Sequence, residues 1–448
     1  MPDRLPPGPY RTLRLDDGTE VPYYIIPFDK KGRCDGPETR ADLIDKMRKG
    51  MYTDVFLFSH GWNNDWTVAT KRYEDFIAGF MEMRRKHGLK VATPYRPLLV
   101  GIFWPSTALV FGVEEEGPAI AAGDPAATDR AVADERQSVR ELADQLPDGQ
   151  VERFYELAQK EALNDAEALE LAIIVRPLYA SVGDEVPDET MPAPETIVST
   201  WRANAPEPDD LEDFGTAGPP EPGEVQAAGG GLGSLLRRLD PRPIVRALTV
   251  RQMKDRAGTV GARGVGALLR DLLSAGKARL HLIGHSYGAK VMLSAIAAGG
   301  DLPRPVQSLL LLQPAVSHLC FADQVPGTDH PGGYRKVLAR VKRPIFSTFS
   351  AHDVPLTKMF HLALRRSDDL GEAEIAAAGE PPSVYAALGG FGPRRAGEKL
   401  VDILDVNQPY DLVAGTPIFG IRGTRTISGH GAISNESTWW ALYTLASG

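Results

Sequence analysis

Residues 279–291 read Arg-Leu-His-Leu-Ile-Gly-His-Ser-Tyr-Gly-Ala-Lys-Val, and this stretch decides the fold. Its apolar first half predicts a buried strand that ends at Gly284. The run after Ser286 is rich in alanine and leucine and predicts a helix. Between them lies the pattern G-x-S-x-G, which is typical of a nucleophile elbow. Gly284 and Gly288 remove the side chains that would collide in so tight a turn, so Ser286 is expected to project from its tip.

Apolar runs and helical patterns alternate along most of the chain. Strands are predicted at 11–15, 21–27, 54–59, 97–104, 278–283, 305–312, 343–350, 401–406 and 424–427. Helices are predicted at 67–86, 250–275, 288–298, 355–364 and 436–445. Strands that are separated by helices usually pair in parallel and are covered on both faces. The pattern therefore predicts an α/β fold with a mostly parallel sheet.

Charge, cysteine content and hydropathy exclude several classes of protein. The chain has 448 residues and a net charge of −9, which argues against a general nucleic-acid binder. Its two cysteines, Cys34 and Cys320, make neither a disulfide framework nor a zinc signature and are typical of a reducing compartment. No apolar stretch approaches the ~20 residues needed to cross a bilayer, and the N-terminus lacks the order of a signal peptide. We therefore expect a cytoplasmic protein.

A strongly acidic segment interrupts the alternation of strands and helices. Residues 111–225 contain 28 Asp or Glu and 7 Lys or Arg, a local balance of −21. The first part, about 129–175, has helical spacing. The later part, about 182–234, is rich in Pro, Gly, Ala and acidic residues and predicts a flexible linker. The chain thus divides into two parts of one core and an acidic insertion between them, at 1–106, 250–448 and 107–249 respectively.

Two roles remain open for this insertion. Its helical part, about 129–180, would cover an active-site mouth as a lid, or its acidic surface would bind a protein partner. The following stretch, 235–279, holds 11 Arg or Lys and 3 Asp or Glu, so the two segments either pack by charge complementarity or stay solvated. Exposed ion pairs contribute only ~0–1 kcal/mol each, so the sequence does not decide between these arrangements.

Each part that acyl transfer by a serine requires has a candidate at the end of a predicted strand. Ser286 is the candidate nucleophile, and the backbone N–H of Tyr287 would be the first donor to the oxyanion. The second donor would come from the loop after the third predicted strand, most directly from Trp62 and otherwise from Asn63. His60, at the start of that loop, is expected to be a structural hydrogen-bonding residue.

The acid and the base are each chosen between candidates by chain order and position. Asp353 stands just past the strand at 343–350, and Asp323, on the loop after the preceding strand, is the alternative acid. The order Ser…Asp…His leaves His361 and His430 as bases after Asp353. His430 lies in a glycine-flanked loop at a strand end, where an imidazole can swing over the serine, whereas His361 lies in a helical stretch.

These motifs resemble those of the α/β-hydrolase superfamily and, within it, of bacterial serine-hydrolase-like proteins. The matching pieces are His60-Gly61-Trp62, Gly284-His285-Ser286-Tyr287-Gly288, Ser350-Ala351-His352-Asp353 and Gly429-His430-Gly431. The resemblance covers about 1–106 and 250–448 and implies an eight-stranded, mostly parallel sheet with a catalytic triad of Ser286, Asp353 and His430. Lids in this superfamily more often follow the strand after the elbow, whereas this insertion precedes the helix that leads into the elbow strand.

The resemblance implies a serine hydrolase that cleaves an ester, a thioester or an amide through an acyl-enzyme intermediate. A carboxylesterase or lipase-like activity on a small-molecule or lipid ester is the main expectation, without a metal or an organic cofactor. Trp62, Trp66 and Trp104 would either line an acyl pocket or belong to the core. The alternative is a non-catalytic interaction protein on the same scaffold, which binds a partner through the acidic insertion. The oligomeric state stays open.

Overall fold

The computed structural model describes most of the core and part of the insertion. The described residues are 6–14, 18–62, 64, 66–91, 93–106, 146–160, 162–179, 193–203, 239, 241–353, 356–357 and 386–447. The alternative oxyanion donor Asn63, the alternative base His361 and most of the helix predicted at 355–364 lie outside them. Of the linker predicted at 182–234, the structure describes 193–203.

A mostly parallel sheet of nine strands forms the centre of the described structure. The strands are β1 (Arg11–Arg14), β2 (Glu20–Pro27), β3 (Asp54–Ser59), β4 (Pro97–Phe103), β5 (Arg279–His285), β6 (Ser308–Leu312), β7 (Ile345–Phe349), β8 (Lys399–Asp402) and β9 (Ile418–Arg422). Their order is β1-β2-β4-β3-β5-β6-β7-β9-β8, with β1 antiparallel to β2 and the other neighbours parallel. The predicted α/β class is confirmed, although the sheet has nine strands where eight were expected.

Helices precede or follow most of the strands. They are α1 (Pro37–Arg48), α2 (Trp66–Lys86), α3 (Val151–Ala158), α4 (Asp165–Val175), α5 (Pro194–Ala203), α6 (Arg242–Thr259), α7 (Gly266–Ala275), α8 (Tyr287–Ala297), the single turn α9 (Leu388–Phe391) and α10 (Glu436–Ala446). A π-helical segment, Val260–Val265, joins α6 to α7. The helix predicted at 250–275 therefore consists of three consecutive parts.

Helices cover both faces of the sheet. Side chains alternate between the two faces along each strand, so each strand packs against helices on both sides. In β3, Val55 and Leu57 join the core cluster that also contains residues of α1, α6, α7 and α8. Phe56 and Phe58 join a second cluster, with residues of α2 and α10. All four side chains are fully buried, and burying such a side chain contributes roughly 1.5–3 kcal/mol. The near-continuous apolar runs of the sequence thus become central strands.

The described part of the insertion has a hydrophobic core of its own. Helices α3, α4 and α5 contribute buried residues such as Phe154, Leu171 and Trp201 to one cluster. Leu248 of α6 belongs to the same cluster, and α6 also packs against α8 of the main core. The insertion is therefore anchored to the sheet through α6.

Helix α5 lies within the stretch whose composition predicts a linker. Ile197, Val198 and Trp201 are each at most 8% exposed and give this helix an apolar face. The composition of the whole stretch, dominated by Pro, Gly and acidic residues, dilutes this short apolar pattern. The average composition of residues 182–234 therefore does not reveal this short helix.

The last two strands differ from their predicted positions. The strand predicted at 424–427 is wrong, because residues 424–426 form a turn. The strand in that part of the chain is β9, whose apolar run is interrupted by Gly420 and so gives a weak pattern. Strand β8 overlaps the first residues of the strand predicted at 401–406.

Two features of the described chain concern membrane-spanning helices and cysteines. None of the described helices is both long and apolar enough to cross a membrane. Within the described residues Cys34 and Cys320 form no disulfide. Burial raises the pKa of the Cys34 thiol, which makes it a poorer nucleophile at neutral pH.

Candidate active site

Ser286 occupies a strained turn between β5 and α8. Its backbone has φ 55° and ψ −125°, a conformation that costs a non-glycine residue of order 1–3 kcal/mol. The Ser286 N–H donates to Leu312 O at 3.0 Å, and the Ser286 carbonyl accepts from Ala289 N–H at 3.0 Å. These bonds hold the turn in place. The chain thus has the strand, tight turn and helix that its sequence predicts here.

Small residues let the end of β3 lie against this turn. A Cβ atom on Gly288 would collide with the carbonyl oxygens of Ser59 and His60. A Cβ atom on Gly284 would lie 2.6 Å from Ala289 Cα, inside the turn itself. Close backbone approach therefore brings the loop after β3, which carries the predicted second oxyanion donor, next to the serine.

His430 and Asp353 are hydrogen bonded to each other on the loops that follow β9 and β7. His430 Nδ1 lies 2.8 Å from Asp353 Oδ2. The Asp353 side chain is fully buried, whereas that of His430 is 26% exposed. Asp353 Oδ1 also accepts from Leu356 N–H at 3.1 Å. A carboxylate on Nδ1 favours the tautomer in which Nε2 can act as a base.

Asp323, the alternative acid, lies in a different environment. It forms an ion pair with Arg335, and its side chain is 67% exposed. Its backbone N–H donates to Arg395 O, which ties it to the loop before β8. The described contacts do not join Asp323 to His430, so the geometry favours Asp353 as the partner of the base.

His285, the residue before Ser286, ties the base loop to the elbow. Its Nε2 lies 2.9 Å from His430 O, and the centroids of the two rings are 4.9 Å apart. Its Nδ1 accepts from Arg72 at 3.1 Å. Burial, together with the charge of Arg72, holds the pKa of His285 well below 6.5. The neutral ring therefore carries its proton on Nε2 and fixes the His430 backbone beside Ser286.

Ser286 directly follows His285, which contacts His430, but among the described contacts no hydrogen bond joins the Ser286 hydroxyl to the His430 ring. Ser286 is 2% exposed. In structures without substrate, catalytic hydrogen bonds are often long and tighten in the Michaelis complex. The structure thus joins Asp353 and His430 directly, and it brings Ser286 to them through the adjacent His285.

The loop after β3 lies directly against the candidate nucleophile. A Cβ atom on Gly61 would be 2.5 Å from Ser286 Cβ and 3.1 Å from Ser286 Oγ. Trp62 follows Gly61 in this loop. Tyr287 opens helix α8, and amides in the first turn of a helix have no intrahelical acceptor. The two predicted oxyanion donors therefore lie on segments that meet at Ser286.

Two side chains fix the peptide that links Gly61 to Trp62. The Gly61 carbonyl accepts from His60 Nδ1 at 2.8 Å and from Asn64 Nδ2 at 3.3 Å. Asn64 Nδ2 also donates to Trp62 O at 2.6 Å. In a trans peptide the N–H points away from the carbonyl, so these bonds also set the direction of the Trp62 N–H.

His60 has a structural environment. Its ring is stacked on Trp104, with centroids 5.4 Å apart, and its Nε2 accepts from Trp104 N–H at 3.3 Å. Burial lowers the pKa of His60 from 6.5 to about 4, so the ring is neutral and donates through Nδ1. Trp104 is fully buried and belongs to the core. Trp62 is half-buried and packs against that core.

Sequence reasoning misses two polar residues of this site. Gln313 Nε2 donates to Asp353 Oδ2 at 2.8 Å, and Asn64 holds the loop that contains Gly61. Neither residue belongs to a catalytic motif. The available signal for Gln313 is its position directly after the apolar run of β6, since ligands and catalytic groups gather at the carboxyl ends of parallel strands.

A groove of about 590 Å³ lies on the insertion, apart from these residues. Residues of α4 and α5 line it, namely Asp165, Leu169, Glu195, Val198, Ser199 and Arg202. The lining contains neither histidine nor cysteine, and its titratable side chains are Asp165, Glu195 and Arg202. Within the described part of the chain, no group of three His, Cys, Asp or Glu side chains is placed to hold a metal ion.

The geometry of the site is the guide to its function. The site combines a strained serine, a histidine hydrogen bonded to a buried carboxylate, and two backbone segments that meet at the serine. No protein-family model, curated protein or solved structure matches the chain. The activity is therefore inferred from the residues and their contacts.

Proposed function

We propose that the chain has the α/β-hydrolase fold and is a serine hydrolase that cleaves an ester, a thioester or an amide. The observation that carries the proposal is the 2.8 Å hydrogen bond between His430 and Asp353, beside a serine held at φ 55°. Backbone strain and a buried carboxylate both cost stability, so both are expected where function requires them. Their coincidence at the carboxyl edge of a parallel sheet supports a catalytic site.

In the acylation step, Ser286 Oγ attacks the acyl carbon while its proton passes to His430 Nε2. Asp353 stabilises the resulting imidazolium through Nδ1. The backbone N–H groups of Tyr287 and Trp62 bind the negative charge that develops on the acyl oxygen. His430 then gives its proton to the leaving group, and the acyl group remains on Ser286 as an ester.

In the deacylation step, water takes the place of the leaving group. His430 accepts a proton from this water, whose oxygen attacks the acyl carbon, and the same backbone N–H groups bind the oxyanion. His430 returns the proton to Ser286 Oγ as the acid product departs. The serine and the histidine thus recover their starting protonation states.

For the substrate we propose a small-molecule or lipid ester, and hence a carboxylesterase or lipase-like activity. The support is Trp62, which lies in the loop against Ser286 and presents a half-buried indole beside the core. Pockets that bind apolar acyl groups are lined mainly by apolar and aromatic side chains. A cytoplasmic location is part of the same proposal and is supported by the low cysteine content.

A burst experiment tests the proposal. The protein is mixed with short p-nitrophenyl esters, quenched and analysed by peptide mass spectrometry. We expect a burst of p-nitrophenol and an acyl adduct on the peptide that contains Ser286, and neither in Ser286→Ala. If esters, thioesters and anilides all remain intact between about pH 6 and 9 and no adduct forms, the proposal is wrong and the interaction-protein alternative is favoured.

A further inference from the structure

Gln313 lies at the carboxyl end of β6, next to the strand that leads into the elbow. It is fully buried, and its φ is 45°. Four non-glycine residues in the described part of the chain have a positive φ, and both Gln313 and Ser286 are among them. Such strain persists only where the surrounding structure enforces it, and it is concentrated at functional sites. The conformation of Gln313 therefore requires an explanation.

The carboxamide of Gln313 bridges Thr348 of β7 and the candidate acid. Its Nε2 donates to Asp353 Oδ2 at 2.8 Å, and its Oε1 accepts from Thr348 Oγ1 at 3.1 Å. The Gln313 backbone N–H donates to the same Thr348 hydroxyl at 3.0 Å. A reversed amide would set its oxygen against the carboxylate, so the nitrogen must face Asp353. Thr348 thus locks the carboxamide with its donor toward the acid.

Gln313 and His430 share one oxygen of Asp353. Both donors lie 2.8 Å from Oδ2. Because Asp353 is fully buried, its carboxylate depends on protein donors in place of water. A neutral amide supplies a donor without adding a positive charge that would compete with the imidazolium formed on His430. This is the chemistry that a support for a catalytic acid requires.

We propose that Gln313 is a positioning residue, which holds the Asp353 carboxylate in the orientation from which it aligns His430. This inference rests on the proposed serine-hydrolase function and extends it to a residue outside the elbow and triad motifs. Gln313 does not contact the reacting atoms and acts through Asp353.

The variant Gln313→Met removes the donor and keeps the approximate size of the side chain. Without this donor, the Asp353 carboxylate stabilises the protonated His430 ring more strongly. The His430 ring titration and the acidic limb of the pH profile of kcat/KM should therefore move to higher pH by about 1. Misalignment of the base should lower kcat by about 10–100-fold, with KM changed little. Ring titrations are followed by NMR of protein labelled at its histidines, with His430 assigned from His430→Gln.

The variant Gln313→Glu separates positioning from packing. When protonated, the new carboxyl donates to Asp353 as the amide does, and when ionised it opposes Asp353 with a like charge. We expect activity close to that of the wild type at acidic pH and a new loss at alkaline pH. A wild-type pH profile in this variant would overturn the inference.

The matched control is Gln307→Met, just before the other end of β6. Gln307 is 7% exposed, so this substitution also places a methionine in a buried glutamine position. It should leave the His430 titration unchanged. If Gln313→Met moves that titration no further than Gln307→Met does, the inference is wrong.

Two further results separate a failure of this inference from a variant that does not fold and from a failure of the proposed function. Where Gln313→Met does not fold, Thr348→Val removes the hydroxyl that orients the amide and should shift the same titration in the same direction. An unshifted titration there would contradict the inference. A wild-type protein without hydrolase activity would overturn the proposed function, while the NMR titration would still decide whether Gln313 positions Asp353 and His430.

Discussion

Two Ser–His–Asp groups lie at opposite ends of the same sheet. The carboxyl-edge group consists of Ser286, His430 and Asp353. The amino-edge group consists of Ser308, His281 and Asp54, which stand near the starts of β6, β5 and β3. In it, His281 Nδ1 lies 2.8 Å from Ser308 Oγ, and His281 Nε2 lies 3.1 Å from Asp54 Oδ1. Residue type and hydrogen bonding are therefore not enough to define a catalytic site.

The surroundings of the two groups differ more than their chemistry. Ser286 and Ser308 are about equally buried, at 2% and 1% exposure. The His430 side chain is 26% exposed, whereas that of His281 is completely buried. Ser286 stands in a strained turn at the start of a helix, whereas Ser308 has the backbone of a strand whose N–H groups serve the sheet. Access to the base and a strained serine at the start of a helix thus distinguish the candidate site from a structural network.

The electrostatics of the amino-edge group are those of a structural network. Burial raises the pKa of Asp54, but hydrogen bonds from His281 and Thr53 and the charge of Arg279 outweigh this, and the net shift is downward. Burial lowers the pKa of His281. The ring is therefore neutral, with one nitrogen donating to Asp54 and the other accepting from Ser308. This arrangement satisfies buried polar groups and fixes three strands together.

The largest expected effect separates the two serines. Ser286→Ala should lower kcat/KM by about 10⁴–10⁶-fold, because no other group can form the acyl-enzyme. Ser308→Ala should leave kcat/KM within about threefold, since the two sites are independent. Both are checked by steady-state hydrolysis of one activated ester. Equal losses in the two variants would remove the distinction between the groups.

The second effect is on stability. Asp54→Ala leaves the buried N–H of His281 without its acceptor, so it should lower the free energy of unfolding by about 1–3 kcal/mol. The exposed pair of Asp402 and Arg422 provides the control, and Asp402→Ala should cost less than about 1 kcal/mol. Urea unfolding measures both. A small loss in Asp54→Ala would show that the amino-edge group is not a structural anchor.

The third effect concerns the peptide between Gly61 and Trp62. Asn64→Ala removes one of the two side chains that orient it, so kcat should fall by about 10–100-fold while KM changes little. Asn164, the N-cap of α4, supplies the control. Asn164→Ala should cost about 1 kcal/mol of stability and leave kcat unchanged. A rise in KM alone in Asn64→Ala would point to substrate binding instead of oxyanion stabilisation.

The smallest effect is a pH dependence of stability. Burial lowers the pKa of His281, and it lowers that of His60 from 6.5 to about 4. The unfolded chain binds more protons than the folded chain below about pH 6.5, so stability should fall as the pH drops from there toward 4. Each histidine contributes at most about 1.4 kcal/mol per pH unit. Urea unfolding of His281→Gln should show a shallower slope than the wild type, and an identical slope would contradict this.

The strand, turn and helix around Ser286 could be predicted because their determinants are local. An apolar run, two glycines and a helical run lie within residues 279–297, and each restricts the backbone near itself. The strand at 54–59 was predictable for the same reason, since its six residues are all buried. The mostly parallel sheet then followed from the alternation of such runs with helices.

The contacts of Gln313 and Asn64 could not be predicted because they are set by tertiary structure. Gln313 reaches Asp353, 40 residues away, only because β6 and β7 are neighbours in the sheet. The sequence around Asn64 indicates only a polar loop, and the contacts of Asn64 form only when that loop folds against Ser286. The amino-edge group is a further case, since Asp54 and His281 are 227 residues apart and join through strand pairing. Sequence patterns report local conformation better than such long-range pairs.

The rate at which a fluorophosphonate labels Ser286, compared between the wild type and His430→Ala, tests the central proposal most directly. Labelling is followed by peptide mass spectrometry, so the modified serine is identified. We expect the adduct on Ser286 and a labelling rate at least about 100-fold lower in His430→Ala, because the base that activates the hydroxyl is lost. Labelling of another serine, or an unchanged rate in His430→Ala, would contradict the assignment of Ser286 and His430 as nucleophile and base.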